Sequence, residues 1–287
     1  MVEEKQGEDS SSVNDNGRKM AKIEYKELLD AGVHFGHLTR KWDPKMAPYI
    51  FMEKNGIHII DLNKTIVALE NAKESLRSVV RSGRKVMFVA TKKQAKDIIA
   101  DKVASVNMPY INERWAGGML TNFPTIRKAV KKMTTIDKME TDGTFATLSK
   151  REKLQIARQR AKLEKILGSI ADMTRLPAAL FIVDVMKEHI AVKEAVRLGI
   201  PIFGIVDTNS SPTDIDHIIP ANDDASKSIE LIVGIMTKAI AEGLEERKNE
   251  REAEASTRKE NKTPAKGKKV AAKAGNESDK NKSEDNE

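Results

Sequence analysis

The chain of 287 residues contains no cysteine. That absence removes disulfides, cysteine-ligated zinc, iron–sulfur clusters and thiol nucleophiles together, and it fits a reducing compartment. No apolar run approaches the ~18 residues needed to span a bilayer, so no membrane association is expected. The first residues, MVEEKQGEDSSSVNDNG, are acidic and polar. They match neither a secretory signal, which needs an apolar stretch, nor an organelle transit peptide, which is poor in acids. Phosphate-cradling loops are missing too: there is no G-x-G, hence no dinucleotide fingerprint, and no G-x-x-x-x-G-K-[ST]. Neither an HExxH motif nor a Ser–His–acid order emerges, so hydrolysis has no assembled machinery.

What is present is charge, unevenly placed. Lys plus Arg number 50 against 43 Asp plus Glu, a formal net charge of +7. Residues 121–170 hold twelve basic and five acidic side chains, so this one segment carries a surplus equal to that of the whole chain. A local cationic surplus is what a phosphate-binding face requires, although a pair of solvated helices would show it as well.

Between two polar ends the pattern is α/β. Residues 1–20 lack a periodic apolar face and 245–287 have almost no large apolar side chain; they read as a disordered N-terminal extension and a low-complexity charged tail. In 21–244, YIFME and IHIID flank Lys54-Asn55-Gly56, a strong hairpin signal. An amphipathic helix follows over about 63–81, with Ile66, Leu69, Ala72, Leu76 and Val80 on one stripe and Gly83 at its end. KVMFVAT, MPYIN, ALFIVDV and IPIFGIVDTN read as strands. KKQAKDIIADKVAS (capped by Thr91), HIAVKEAVRLG and SIELIVGIMTKAIAEGL read as helices. Continuous apolar strands alternating with amphipathic helices point to a parallel sheet covered on both faces. Residues 125–170 contain no strand; Ser149 and Glu152 match a capping box opening a second helix, so the segment reads as an antiparallel helical hairpin, a coiled-coil arm inserted into the core.

Five stretches carry candidate chemistry. In GVHFGHLTRKWDPKMAPYI, His34 and His37 stand three apart. Metal ligation, packing within a loop and RNA contact compete; Arg40, Lys41, Trp42 and Lys45 favour RNA, since an aromatic face among cations suits bases and phosphates. Lys92 and Lys93 occupy the first turn after a strand, where helix dipole and free N–H groups attract anions. Gly117-Gly118, in NERWAGGMLTNFP, reads as a tight turn bringing backbone close to another surface. Asp184 and Asp207 each end a strand, at the edge where open α/β sheets collect ligands. They either share a magnesium ion, if their strands are neighbours, or cap the turns that follow. The magnesium option supports an alternative function, an α/β enzyme acting on a phosphorylated small molecule.

Taken in order, GVHFGH with PKMAPYI, NGIHIIDLNKT, FVATKKQA, ERWAGGMLTNF, LFIVDV, KEAVRLGIPIFGIVDTNSSP and IPANDDA resemble the bacterial small ribosomal subunit protein two family, over about residues 20–244. The resemblance implies a Rossmann-like, flavodoxin-like parallel sheet of about five strands with helices on both faces and an inserted helical hairpin. It implies a structural, non-enzymatic role in translation, on the ribosome in the cytoplasm, with no organic cofactor. The implied partners are small-subunit ribosomal RNA and neighbouring small-subunit proteins, including the large OB-repeat protein that recruits messenger RNA; no homo-oligomer is expected. Carried onto matching positions, the implied RNA-facing residues are Arg40, Lys41, Trp42, Lys45, Lys92, Lys93, Arg114, Trp115, Thr121 and Asn122.

Overall fold

The computed structural model describes residues 23–260; the expected N-terminal extension over 1–20 and residues 261–287 of the expected tail lie outside them. The chain divides into two compact units, Met1–Arg247 and Lys248–Glu287. Of the second unit, residues 248–260 are described, and they are helical.

A short helix, α1 (Tyr25–Asp30), leads into strand β1 (Phe35–Leu38). Strands β2 (Ile50–Lys54) and β3 (Ile57–Ile60) form the expected hairpin. Asn55 (φ 54°) and Gly56 (φ 74°) both take the left-handed conformation that a two-residue turn of matching twist needs. β3 pairs antiparallel with β2 on one side and β1 on the other, giving a small three-stranded sheet in the order β1-β3-β2. Helix α2 (Leu62–Arg81) starts at Asp61, whose side chain accepts the Asn63 N–H at 3.0 Å.

The main sheet is built from β4 (Val86–Val89), β5 (Tyr110–Ile111), β6 (Ala179–Val183), β7 (Ile202–Val206) and β8 (His217–Pro220). All pairings are parallel, in the order β5-β4-β6-β7-β8. Counted along this sheet alone the order is 2-1-3-4-5, the flavodoxin-like winding, with its reversal between β4 and β6. β8 escapes the periodicity reading because HIIP is short, begins with a polar residue and closes on proline, the marks of an edge strand.

Alternation along the strands divides the core in two. Val86, Phe88, Phe181, Val183, Phe203 and Ile205 point to one face, against α2, α3 (Lys93–Ala104) and the buried stripe of α8 (Ser226–Glu260). Met87, Val89, Leu180, Ile182, Ile202 and Val206 point to the other, against α4 (Phe123–Thr141), α6 (Lys150–Leu167), α7 (His189–Leu198) and Trp115, Met119 and Leu120. Phe88, Phe181, Phe203 and His217 are register partners across four strands, and the Phe203 and His217 rings stack 4.2 Å apart. Burying each such aromatic contributes on the order of 2–3 kcal/mol.

The hairpin helices α4 and α6 are 19 and 18 residues, about 27–29 Å each at 1.5 Å per residue. A one-turn helix, α5 (Thr144–Thr147), lies between them. The Ser149/Glu152 capping box forms as expected. Val130, Met133 and Ile136 on α4 are buried, and Arg160 binds Asp137 from one helix to the other at 2.5 Å. At the carboxyl end the expected boundary at Leu244 falls inside α8, which runs on to Glu260. Glu246 receives Arg77 Nε at 3.1 Å and a second bond from the same guanidinium, so core contacts extend past Leu244.

Candidate nucleic-acid interface

The segment around the two histidines is not the loop the sequence implies. His37 lies within β1, and His34 sits in the turn before it. The strand is laid against Thr208, a fully buried residue just past the end of β7. A Cβ on Gly36 would stand 2.7 Å from Thr208 Cγ2 and 3.0 Å from the His58 carbonyl oxygen, so only glycine permits this approach. The His37 N–H donates to Thr208 Oγ1 and the Asp43 N–H to the Thr208 carbonyl, both at 2.8 Å. Outward from this anchor, Arg40, Lys41, Trp42 and Lys45 are exposed. Trp42 leans on His58 with ring centroids 5.2 Å apart, and Lys45 Nζ donates to Thr213 Oγ1 at 2.8 Å.

The carboxyl edge of the main sheet is filled by the protein's own side chains. Thr91, the expected helix cap, turns instead to Glu188, which accepts its N–H at 3.0 Å and also its hydroxyl. Lys92 holds the cap position of α3 without a side-chain bond to the helix. Its ammonium lies 2.7 Å from Asp223 and from Asp224 and 3.4 Å from Asp184. Burial alone would lower the Lys92 ammonium, but the bonds to Asp223 and Asp224 hold it above the usual lysine value. Lys93, one residue on, is exposed. The carboxylates outnumber the cations. Burial, with the charges of Asp207 and Asp184, pushes the Asp223 carboxyl up to about 7. The hydrogen bond to Asp207 raises the His37 imidazole, against burial.

β6 and β7 are neighbours, as the shared-magnesium reading required, yet Asp184 and Asp207 face different partners. Asp184 adopts φ 66°, accepts the Lys187 N–H at 3.0 Å and meets Lys92. Asp207 meets His37 Nδ1 at 3.0 Å and the N–H and hydroxyl of Thr208. Among the described residues the donors that converge closely enough for a metal ion are His37, Asp207 and Asp223, and Asp223 Oδ2 has no hydrogen-bond partner. Asp207 belongs to this group and Asp184 does not.

In the glycine-turn stretch Arg114, Thr121 and Asn122 are exposed, whereas Trp115 is only 6% exposed. Its indole N–H donates to Glu194 at 3.1 Å, so its faces pack into the core. Asn122 sits at the head of α4, where its Oδ1 accepts the Thr125 hydroxyl. Along the hairpin, Lys128, Lys131, Lys132, Arg151, Arg158 and Lys162 are exposed, which places much of the local cationic surplus at the surface.

Three residues that organise these surfaces were not singled out from sequence: Thr208, Asp223 and Glu194. Thr208 and Asp223 lie inside the DTN and NDDA stretches without any pattern of their own. Glu194 offers a faint signal, an acid beside the apolar stripe of Ala191, Val192 and Ala195 in α7.

A family model described as ribosomal protein S2 matches residues 28–243. The chain is 69% identical over 232 residues to the small ribosomal subunit protein uS2 of Parabacteroides distasonis, covering 81% of this chain and 84% of that one. It is 68% identical to the protein of the same name from Flavobacterium johnsoniae, over 82% of this chain and 92% of the relative. With the Bacteroides fragilis protein of that name, identity is 66% across 89% of this chain and 91% of the relative. With a match spanning nearly the whole described fold and relatives this similar, the chain belongs to the ribosomal protein S2 family.

Proposed function

We propose that this chain is a structural constituent of the small ribosomal subunit, acting on the ribosome in the cytoplasm as a non-enzymatic binder of folded RNA and neighbouring proteins. The observation that carries the reading is the separation of charge. Lys92, at the sheet edge where a small ligand would enter, is consumed by Asp184, Asp223 and Asp224, while the hairpin cations face outward. Exposed cations positioned on rigid helices neutralise phosphates and release counterions, which supplies much of the affinity for nucleic acid. The enzyme alternative has no support: the relatives are named as ribosomal proteins, and Asp184 and Asp207 are engaged by Lys92 and His37 within the chain.

The finer assignments belong to the same proposal. Arg40, Lys41, Trp42, Lys45, Lys93, Arg114, Thr121 and Asn122 face RNA; what supports them is their exposure on stretches held in fixed form. Lys92 and Trp115 act from beneath, by holding those stretches, because their polar ends already have partners within the chain. The large OB-repeat protein is proposed among the neighbours on the motif resemblance. Rebinding of the full chain to small subunits stripped of this protein tests the reading. Affinity should fall as salt rises, with a logarithmic slope of roughly 0.7–0.9 per phosphate neutralised. A flat salt response, or no rebinding, would overturn it.

A further inference from the structure

Glu194 collects five donors from one short loop. Its Oε1 accepts the Trp115 indole N–H at 3.1 Å and the Gly118 N–H at 2.8 Å. Its Oε2 accepts the N–H groups of Leu120 and Thr121 at 2.9 and 3.1 Å, and the Thr121 hydroxyl at 3.2 Å. All five donors are neutral, and the carboxylate is buried on α7. Only an ionised carboxylate suits this arrangement. A glutamine would turn its amide N–H₂ toward N–H groups on one side and leave them unpaired.

The loop so fixed presents Arg114, Gly117, Thr121 and Asn122 outward. Gly118 explains itself within the chain: its φ is 84°, and a Cβ there would stand 3.2 Å from Asn122 Cβ. Gly117 does not. Its φ is not positive, and a Cβ on it would meet nothing within 4 Å. Gly234 shares that openness, but it is half-buried inside α8, while Gly117 is exposed. Glycine raises the entropic cost of ordering a loop, so a glycine that neither backbone nor packing needs implies a requirement outside the chain.

Resting on the RNA-binding reading above, we infer that bare backbone at Gly117 abuts the sugar–phosphate chain of ribosomal RNA, and that Glu194 is the positioning residue that holds this contact loop flush. The exposed cations on either side, Arg114 and Lys128, favour a polyanion over a protein surface.

The test uses the full-length chain and small subunits stripped of this protein. Gly117→Val should lower rebinding by about tenfold or more while leaving the unfolding midpoint unchanged. Glu194→Gln should lower rebinding by a similar factor and speed amide exchange at Gly118, Leu120 and Thr121, but not at Phe88 in the core. Glu194→Asp, which keeps the charge, should recover part of the affinity. Because the chain has no cysteine, Asn122→Cys provides a unique tether for an iron chelate, and ribosomal RNA should be cleaved beside it. Wild-type rebinding with undiminished Gly117→Val rebinding overturns this inference alone. So does chelate damage confined to protein. Failure of the wild type to rebind strikes the underlying reading and removes the inference with it.

Discussion

The carboxyl edge of the main sheet and the helical hairpin are both rich in charge, and they use it in opposite ways. At the sheet edge one ammonium and one imidazole are shared among Asp184, Asp207, Asp223 and Asp224, mostly out of contact with water. On the hairpin, lysines and arginines are exposed along two helices whose own cohesion comes from Val130, Met133, Ile136 and Leu167. The first arrangement spends its charges on partners within the chain. The second leaves its charges to a partner. Lys92 and Lys93 show the contrast within one peptide bond: the former meets three carboxylates, the latter points to solvent. Burial and neighbours, rather than residue type, decide which role a lysine takes.

The sharpest way to break this comparison is Lys92→Met. Removing the cation leaves buried carboxylates uncompensated, and denaturant unfolding should record a loss of about 3–5 kcal/mol. A loss near zero would mean that the edge is not held by this ion cluster.

Acidity probes the same cluster next. The Asp223 carboxyl is raised to about 7 from the ordinary 3.8. An acid raised in the folded state favours the fold while it is protonated, so its contribution declines as pH climbs from about 4 to about 7. His37 is raised too, and its contribution is present at low pH and lost as pH rises through its folded value. Thermal unfolding should therefore show stability falling by roughly 1–3 kcal/mol from about pH 5 to pH 8. Asp223→Asn should flatten most of that slope.

On the hairpin the effect should appear in binding and not in folding. The double variant Lys131→Ala/Lys132→Ala should weaken rebinding to stripped subunits by about tenfold at physiological salt and reduce the logarithmic salt slope by up to about 1.8. Its unfolding midpoint should match the wild type. Ser149→Ala, which removes the α6 cap, should cost about 1 kcal/mol, read as faster amide exchange over the first turn of that helix. Lys93→Ala closes the series. Its stability change should stay within about 0.5 kcal/mol, and only the salt dependence of binding should move.

Much of the architecture was legible because local patterns carry it. The Asn55-Gly56 turn, the Ser149/Glu152 box, the α2 stripe and the all-apolar runs of β6 and β7 follow from short-range sterics and periodicity. β1 and β8 were missed for a common reason: each is four residues long and mixes polar with apolar positions. Such segments become strands only because a neighbouring strand supplies their hydrogen bonds. The site was read least well where contacts span the chain. His37 meets Asp207 across 170 residues, and Lys92 meets Asp223 across 131, distances no spacing rule covers. The motif resemblance implied an RNA-facing Trp115, and only the packed structure turns its indole inward to Glu194.

The residue order alone determined the alternating α/β character, the two-helix insertion and its positive surplus, because turn chemistry, hydrophobic period and charge are properties of neighbours in the chain. Which lysine is silent and which is offered, which histidine is held, and why Gly36 cannot be any other residue were decided only in three dimensions. Those outcomes depend on side chains from β1, β4, β6, β7 and the NDDA turn arriving at one edge of one sheet, where low exposure makes each unpaired charge costly and each pairing selective.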